Sequence, residues 1–344
     1  MKKKILIIRF SSIGDIVLTT PVIRVLHEQI GAKVHYLTKP SFASIIEVNP
    51  NVTKVYTLQE DFDQMIRMLR DEQYDYIIDL HNNIRTRRIK LSLKRPSHSF
   101  RKLNFEKWLM VNFKINRLPD KHIVDRYLDT VNFLGVQNDR KGLDFFTPEE
   151  KKINVLEKFG FQPNTYVSIV IGATYYTKCL TVDQIAAICE ILNMPVLLLG
   201  GKQEIKKGQE ILNLSKSKNI ISACGTFDIF QSASILQQSA TIISHDTGLM
   251  HIAAALKKPQ VVIWGNTIPA FGMYPYYGDE NKNINWISFE QKELNCRPCT
   301  KLGFDKCPKG HFKCILNHNL SEIASATLNL IRPEDQKNAP MHNS

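Results

Sequence analysis

Ala240-Thr241-Ile242-Ile243-Ser244-His245-Asp246-Thr247-Gly248-Leu249-Met250-His251-Ile252-Ala253-Ala254-Ala255-Leu256 reads as a short β-rich run, an acidic turn and a helix, in that order. After the turn, Leu249, Ile252, Ala253 and Leu256 recur at helical spacing. The helix N-terminus therefore points its free N–H groups at the turn, and Gly248 lets a diphosphate approach the backbone closely. Asp246 would repel a phosphate if it pointed the same way. It either hydrogen-bonds sugar hydroxyls or caps the helix. Strand, turn and helix in this order are the repeating unit of an α/β protein, and the turn is where such a protein binds a phosphorylated ligand.

The same unit recurs in both directions along the chain. Lys4 to Arg9, Val34 to Leu37, Val52 to Leu58 and Tyr76 to Leu80 are predicted strands in the first half. Helices are predicted after Pro21, over Asp63 to Arg70 and over Ile123 to Leu134. In the second half, Tyr166 to Ile171, Val196 to Leu199, Ile220 to Ala223, Thr241 to Ser244 and Val261 to Trp264 are short apolar strands between helical segments. Thr181 and Gln184 form a capping box at the start of one of these helices. The alternation predicts one parallel sheet per half, covered by helices on both faces. Ligands of such sheets bind at the carboxyl ends of the strands, so function is expected in a cleft between the halves.

With 344 residues and a hydrophobic share of 43%, the chain has material for two cores. The apolar run Ile5 to Ile8 is too short for a secretory signal, and Arg9 ends it. No stretch approaches the ~20 apolar residues of a membrane span. A cytosolic protein is expected, whose seven cysteines are thiols or ligands rather than disulfides.

The net charge of +12 is unevenly placed. Between Arg85 and Arg117 there are eleven basic residues against a single acid, Glu106. Nucleic acid, an anionic membrane surface and a phosphorylated acceptor all fit such a run. Trp108, Leu109, Met110, Val111 and Phe113 lie inside it. They either make a surface that is basic and apolar at once, as a peripheral membrane contact needs, or pack as a helix into the core.

The first strand ends in Arg9-Phe10-Ser11-Ser12-Ile13-Gly14-Asp15 and carries no G-x-G-x-x-G, which argues against a nicotinamide or flavin cofactor. Asp15 is left as a carboxylate beyond a strand end: a general base for an acceptor hydroxyl, or a helix N-cap. The D-x-D at Asp61-Phe62-Asp63 opens an amphipathic helix, where acids favour the dipole, and is not expected to hold a metal.

Arg9 to Pro21, Tyr74 to Leu80, Gly172-Ala173 with Lys178, Leu199-Gly200-Gly201 and Asp246 to Ala254 fall in an order that resembles family nine of the glycosyltransferases, the ADP-heptose:lipopolysaccharide heptosyltransferases. The resemblance runs from about Lys4 to Leu330. It implies an α/β fold of GT-B architecture, two Rossmann-like doubly wound domains facing a central cleft, and metal-independent transfer with inversion. The implied organisation is an acceptor-binding domain over 1–147, a nucleotide-sugar-binding domain over 148–319, a helix over 320–332 crossing back to the first domain, and a disordered tail over 333–344.

Carried onto this chain, the resemblance makes Asp15 the base and Lys178 the cation beside the leaving diphosphate. Thr247, Gly248 and the helix N-terminus would receive phosphate oxygens, and Asp246 the donor sugar hydroxyls. His251 would support the same site, or be a satisfied core histidine, and Glu204 would reach the nucleotide ribose. Ser12, Gly14 and Arg85 are the expected acceptor-binding residues. The residue types suit the chemistry: one carboxylate activates the hydroxyl while separate positive groups absorb charge on the diphosphate. The implied partners are an ADP-sugar, an anionic glycolipid of the lipid A and Kdo type, and the inner face of the inner membrane.

The chain departs from the family pattern after Trp264-Gly265, where Asn266-Thr267 stands in place of the usual proline and threonine. Cys296, Cys299, Cys307 and Cys314, with His311 among them, lie within nineteen residues as C-x2-C-x7-C-x6-C. That is not a standard zinc finger, but it could hold a structural metal. No cofactor is expected for transfer. Other readings are a catalytically silent nucleotide- or nucleic-acid-binding protein on the same fold, a transferase for a related nucleotide-sugar, and a sugar-nucleotide hydrolase.

Overall fold

A computed structural model describes residues 2–281 and 283–331. In the first half Lys4–Ile8 (β1), Lys33–Thr38 (β2), Lys54–Thr57 (β3), Tyr76–Asp79 (β4) and Ser97–Ser99 (β5) form one parallel sheet in the order β3-β2-β1-β4-β5. Ile5, Leu6, Ile7 and Ile8 are all fully buried, as a central strand covered on both faces requires. The second sheet holds Val167–Val170 (β6), Val196–Leu199 (β7), Ile220–Ser222 (β8), Thr241–His245 (β9), Gln260–Trp264 (β10) and Trp286–Glu290 (β11). Its order is β11-β10-β9-β6-β7-β8, again all parallel.

Each sheet thus reverses its winding once, between β1 and β4 in the first and between β6 and β9 in the second. Connections on the two sides of that reversal run to opposite faces, which leaves a crevice at the carboxyl ends of the two central strands. The turns that follow β1, β4, β6 and β9 are therefore where side chains can meet a ligand.

Two compact units result. One contains the residues up to Leu103, Asp120–Phe146 and Gly278–Glu280. The other contains Asn104–Pro119, Thr147–Tyr277 and the described residues from Asn281 onward. Residues 104–119, expected with the first domain, therefore belong to the second unit. The last helix, Leu320–Asn329, also packs in the second unit, with Ile323 and Ala324 buried in its core and the Val182–Leu192 helix as neighbour. The expected disordered tail lies outside the described residues.

Local chemistry explains most boundaries. Thr181 caps the Val182–Leu192 helix, accepting from the Gln184 N–H at 3.3 Å while Gln184 Oε1 accepts from Thr181 N–H at 3.1 Å. Asp61 of the D-x-D caps the Phe62–Asp71 helix through the Gln64 N–H at 2.8 Å. The helix predicted to reach Leu134 stops at Leu128, because Thr130 N–H and Val131 N–H bond back to Tyr127 and Leu128 and tighten the chain into i to i+3 turns. The helix Asn104–Phe113 buries none of its residues, which removes the core-packing reading of Trp108 to Phe113. No helix among the described residues is long and apolar enough to cross a membrane.

Candidate functional site

In the first unit the turn after β1 carries Asp15 in a short helix, Ile13–Val17. Ser12, not Asp15, is the N-cap residue. Asp15 lies one turn in and accepts from Ser12 N–H at 3.1 Å and from Ser12 Oγ at 2.9 Å. Its other oxygen is 2.6 Å from the Arg9 guanidinium. Arg9 is itself fixed by three further acceptors: Ser11 O at 2.8 Å, Leu80 O at 2.6 Å and the Tyr127 hydroxyl at 3.1 Å. Burial alone would raise the Asp15 carboxyl. The charge of Arg9 and the Ser12 donors outweigh it and hold the group below its usual value, so Asp15 is an anion at neutral pH.

His81, in the turn after β4, was not marked by its pattern. Asp79, fully buried at the end of β4, accepts from the N–H groups of His81 and Asn82 at 3.1 and 2.7 Å and pairs with Lys90 at 2.8 Å. This sets His81 against Phe10, ring centroids 4.8 Å apart. Burial, aided by the Arg9 charge, pushes His81 down to about 4, so its imidazole is neutral at pH 7. Gly14 is buried in the Ile13–Val17 helix, and Ser12 is exposed. Arg85 is exposed and lines a separate cavity with Lys39, Leu58, Phe62, Ile84 and Arg88.

In the second unit the turns after β6 and β9 meet, as the reversal point dictates. Lys178 ends a 3-10 turn, Tyr176–Lys178, and its Nζ lies 2.7 Å from Asp246 Oδ2. Thr267 Oγ1 donates to the same oxygen at 2.9 Å. Asp246 therefore does not cap the helix that follows. Thr247 is the N-cap of Gly248–Ala255, and its side chain makes no capping bond. Asp246, Thr247, Gly248 and Leu249 are partly exposed between a buried strand and a buried helix body. A cation, a carboxylate, a hydroxyl and free helix N–H groups are thus concentrated on one turn, a set suited to a sugar linked to a diphosphate.

Other predicted residues are placed differently. His251 is 2% exposed within the Gly248–Ala255 helix, one turn in from Thr247. Glu204 turns back on its own loop after β7, accepting from Gly201 N–H at 2.8 Å.

Two supports of Lys178 escaped the sequence pattern. His245, fully buried at the end of β9, accepts from Leu180 N–H through Nε2 at 2.9 Å, with Nδ1 3.0 Å from Val170 O. The neutral tautomer protonated on Nδ1 satisfies both contacts. Burial, first among several causes, pushes its pKa down to about 3, which keeps the ring neutral. Lys207 donates to Ile171 O at 2.9 Å and Leu180 O at 2.7 Å, fixing the two ends of the same loop.

The cysteine segment makes contacts of its own beside the site. Cys296 Sγ faces His311 Nε2 at 3.7 Å, and Cys299 Sγ turns to the Cys296 carbonyl at 3.0 Å. Cys314 is buried, and Cys307 packs at the edge of the core. Burial and the neighbouring thiols push Cys299 up to about 11 and Cys314 up to about 12, so both stay protonated. Among the described residues no three His, Cys, Asp or Glu side chains are arranged to hold a metal ion. The residue that ties this segment to the site is Arg297, which donates to Gly265 O at 2.6 Å, Thr267 O at 2.7 Å and Gln291 O at 2.8 Å. Asn266, where the chain departs from the family pattern, accepts from Thr177 Oγ1 at 3.0 Å. The departure therefore strengthens the link between the loop of Lys178 and that of Thr267.

Residues 63–302, more than half of the chain, match the family described as glycosyltransferase family 9 (heptosyltransferase). The chain is 26% identical over 316 residues to lipopolysaccharide heptosyltransferase 1 of Campylobacter coli, covering 85% of this chain and 90% of that protein. Its fold is similar to a family 9 glycosyltransferase of Veillonella parvula, TM-score 0.76 at 20% identity, over 96% of this chain and 98% of that one. It is also similar to the Escherichia coli ADP-heptose lipopolysaccharide heptosyltransferase II, TM-score 0.72 at 18% identity, over 97% and 100% of the two chains.

Proposed function

The chain belongs to glycosyltransferase family 9, the heptosyltransferases, and from that premise we propose that it moves heptose from ADP-heptose to the inner core of lipopolysaccharide. The names of the Campylobacter and Escherichia coli relatives support this donor and this class of acceptor. We further propose that transfer inverts the anomeric centre and needs no metal.

The observation that carries the reading is the pair of Lys178 and Asp246 at the N-terminus of the Gly248–Ala255 helix, 2.7 Å apart. In the proposed complex the donor separates them. Lys178 turns to the leaving diphosphate, Asp246 keeps Thr267 and takes up sugar hydroxyls, and the N–H groups at Thr247 and Gly248 receive phosphate oxygens. A lysine and a helix N-terminus supply the positive charge that a divalent ion supplies in other transferases, which is the ground for metal-independent transfer. Glu204 is the candidate for the ribose.

Asp15 is the proposed base. Arg9 keeps it ionised and fixed, so it can accept the proton of an acceptor hydroxyl as that oxygen attacks the anomeric carbon and the diphosphate leaves. Ser12, Gly14 and Arg85 are assigned to the acceptor, the last through the basic cavity it shares with Lys39 and Arg88. With a lipid-linked acceptor, the proposed site of action is the cytoplasm, against the inner face of the inner membrane.

Incubation with ADP-heptose and truncated lipopolysaccharide tests the assignment, with wild type beside Asp15→Ala. The expected result is heptose on the acceptor with wild type and turnover reduced at least 100-fold in the variant. Equal turnover by both removes Asp15 as base. ADP release that does not depend on acceptor replaces transfer with hydrolysis.

A further inference from the structure

The helix Asn104–Phe113 buries none of its ten residues and carries three exposed aromatic rings. Phe105, Trp108 and Phe113 are 63, 51 and 59% exposed, and they contact one another, Phe105 with Trp108 at 6.1 Å and Trp108 with Phe113 at 5.3 Å between centroids. Ile115 follows, 47% exposed. An aromatic cluster of this kind in water is an unpartnered surface.

Its surroundings are basic. Lys114 and Arg117 follow the end of the helix, and Lys114 donates to Val111 O at 2.7 Å and to Pro298 O at 2.8 Å, joining the helix to the cysteine segment of the same unit. That segment adds the exposed Lys301, Lys306 and Lys309, and Lys309 lies close enough to act on the charge of Lys114. Asp305 and Glu106 are the acids of these two segments. Aromatic rings in the middle and lysines around them match the two layers of an anionic bilayer surface, acyl boundary and phosphate headgroups.

We propose that the Asn104–Phe113 helix is a membrane-docking element, which seats Phe105, Trp108 and Phe113 at the acyl boundary of an anionic leaflet while the adjoining lysines meet lipid phosphates. The proposal rests on the reading of a lipid-linked acceptor, and it names the surface that delivers the enzyme to it. The three rings are distinct from every residue assigned to donor or acceptor, so docking and transfer can be measured apart.

The test is sedimentation of the full chain with phosphatidylcholine vesicles, with and without about one third phosphatidylglycerol, for wild type and for Phe105→Ser/Trp108→Ser/Phe113→Ser. Circular dichroism verifies that the variant folds. Wild type is expected to bind the anionic vesicles, to release in high salt, and to ignore neutral ones; the variant should bind at least tenfold more weakly. Tryptophan emission should shift to the blue on anionic vesicles in wild type and not in Trp108→Phe, since of the two other tryptophans Trp264 is buried and Trp286 is stacked on Tyr274, outside the ring cluster. Transfer to a delipidated core oligosaccharide should be equal in wild type and triple variant.

Undiminished binding by the triple variant overturns the proposal, as does failure of wild type to bind anionic vesicles. A wild-type dimer that becomes a monomer in the triple variant also overturns it, assigning the rings to a second copy of the chain. Vesicle binding without transfer to any acceptor leaves the docking element standing and removes the proposed function instead.

Discussion

Lys178 and Asp246, sixty-eight positions apart in the chain, form an ion pair of 2.7 Å at the point where the second sheet reverses its winding. Both side chains are mostly buried, 13 and 16% exposed, so their charges act on each other and on a ligand with little solvent between. The pair keeps each partner in place until a donor competes for both.

Lys178→Ala is therefore expected to lower kcat by ~100- to 1000-fold, the range seen when one charge-stabilising donor is removed from a transition state. Lys178→Arg should recover part of it by keeping the charge. The measurement is steady-state transfer with ADP-heptose varied. A loss confined to KM would make Lys178 a ground-state binding group only.

Asp15 and Arg9 give a prediction in pH. The Asp15 carboxyl lies below its usual value because of Arg9 and Ser12, so transfer should persist at pH values where an ordinary aspartate, near ~3.9, is largely protonated. Taking away the cation in Arg9→Met returns Asp15 toward or above that value. The acid limb of kcat/KM should then move to higher pH, and activity on the acidic side should fall. The stability contribution has the same sign: it is present above the unfolded value and lost as pH falls through the folded one. Removing one partner of so buried a pair should cost about 3–5 kcal/mol, read by denaturant unfolding at neutral pH. An acid limb that stays in place in Arg9→Met would separate Asp15 from the proton transfer.

His245 yields the opposite kind of prediction. Its pKa is pushed down to about 3, so it should contribute no limb to the transfer profile between pH 5 and 9. His245→Ala should nevertheless damage transfer, because Leu180 N–H loses its acceptor and the loop of Lys178 loses an anchor. A buried donor left without a partner, together with the space vacated by the ring, should cost about 2–5 kcal/mol in unfolding experiments. His245→Gln, able to accept from Leu180 N–H, should recover part of both. A variant of unchanged stability and turnover would show that the loop is held without it.

How much of this was legible in the sequence depended on how local each cause is. Ile5 to Ile8 and Val196 to Leu199 read as strands because a strand buried on both faces is a continuous apolar run. Ser97–Ser99 and Trp286–Glu290 did not: they are edge strands, partly exposed, and their pairing is decided by a neighbour rather than by their own pattern. The turn at Asp246 was readable because strand, turn and helix are contiguous. Its pairing with Lys178 was not, since spacing within one segment carries no record of strand order. Arg9 lay inside the quoted first motif, but a basic residue ending a strand looks the same whether it faces water or a carboxylate six positions on. Arg297 was overshadowed by the cysteines beside it, although it is the residue that bonds the loop of Thr267.

That loop supplies the sharpest steric test. A Cβ added at Gly265 would lie 2.2 Å from the Thr177 carbonyl oxygen, a backbone atom that cannot step aside without moving its neighbour Lys178. Asn266 and Thr177 would lose their mutual bonds in the same displacement, and Thr267 its line to Asp246. Gly265→Ala should thus cut transfer at least tenfold in protein that remains folded, because the damage is directed at the placement of Lys178 and Asp246. Gly160→Ala is the control: nothing stands within 4 Å of the added methyl, but the backbone there has a φ of +73°. It should cost about 1 kcal/mol of stability with transfer intact. Equal behaviour of the two variants in the transfer assay would mean that the contact of Gly265 with Thr177 does not position the site.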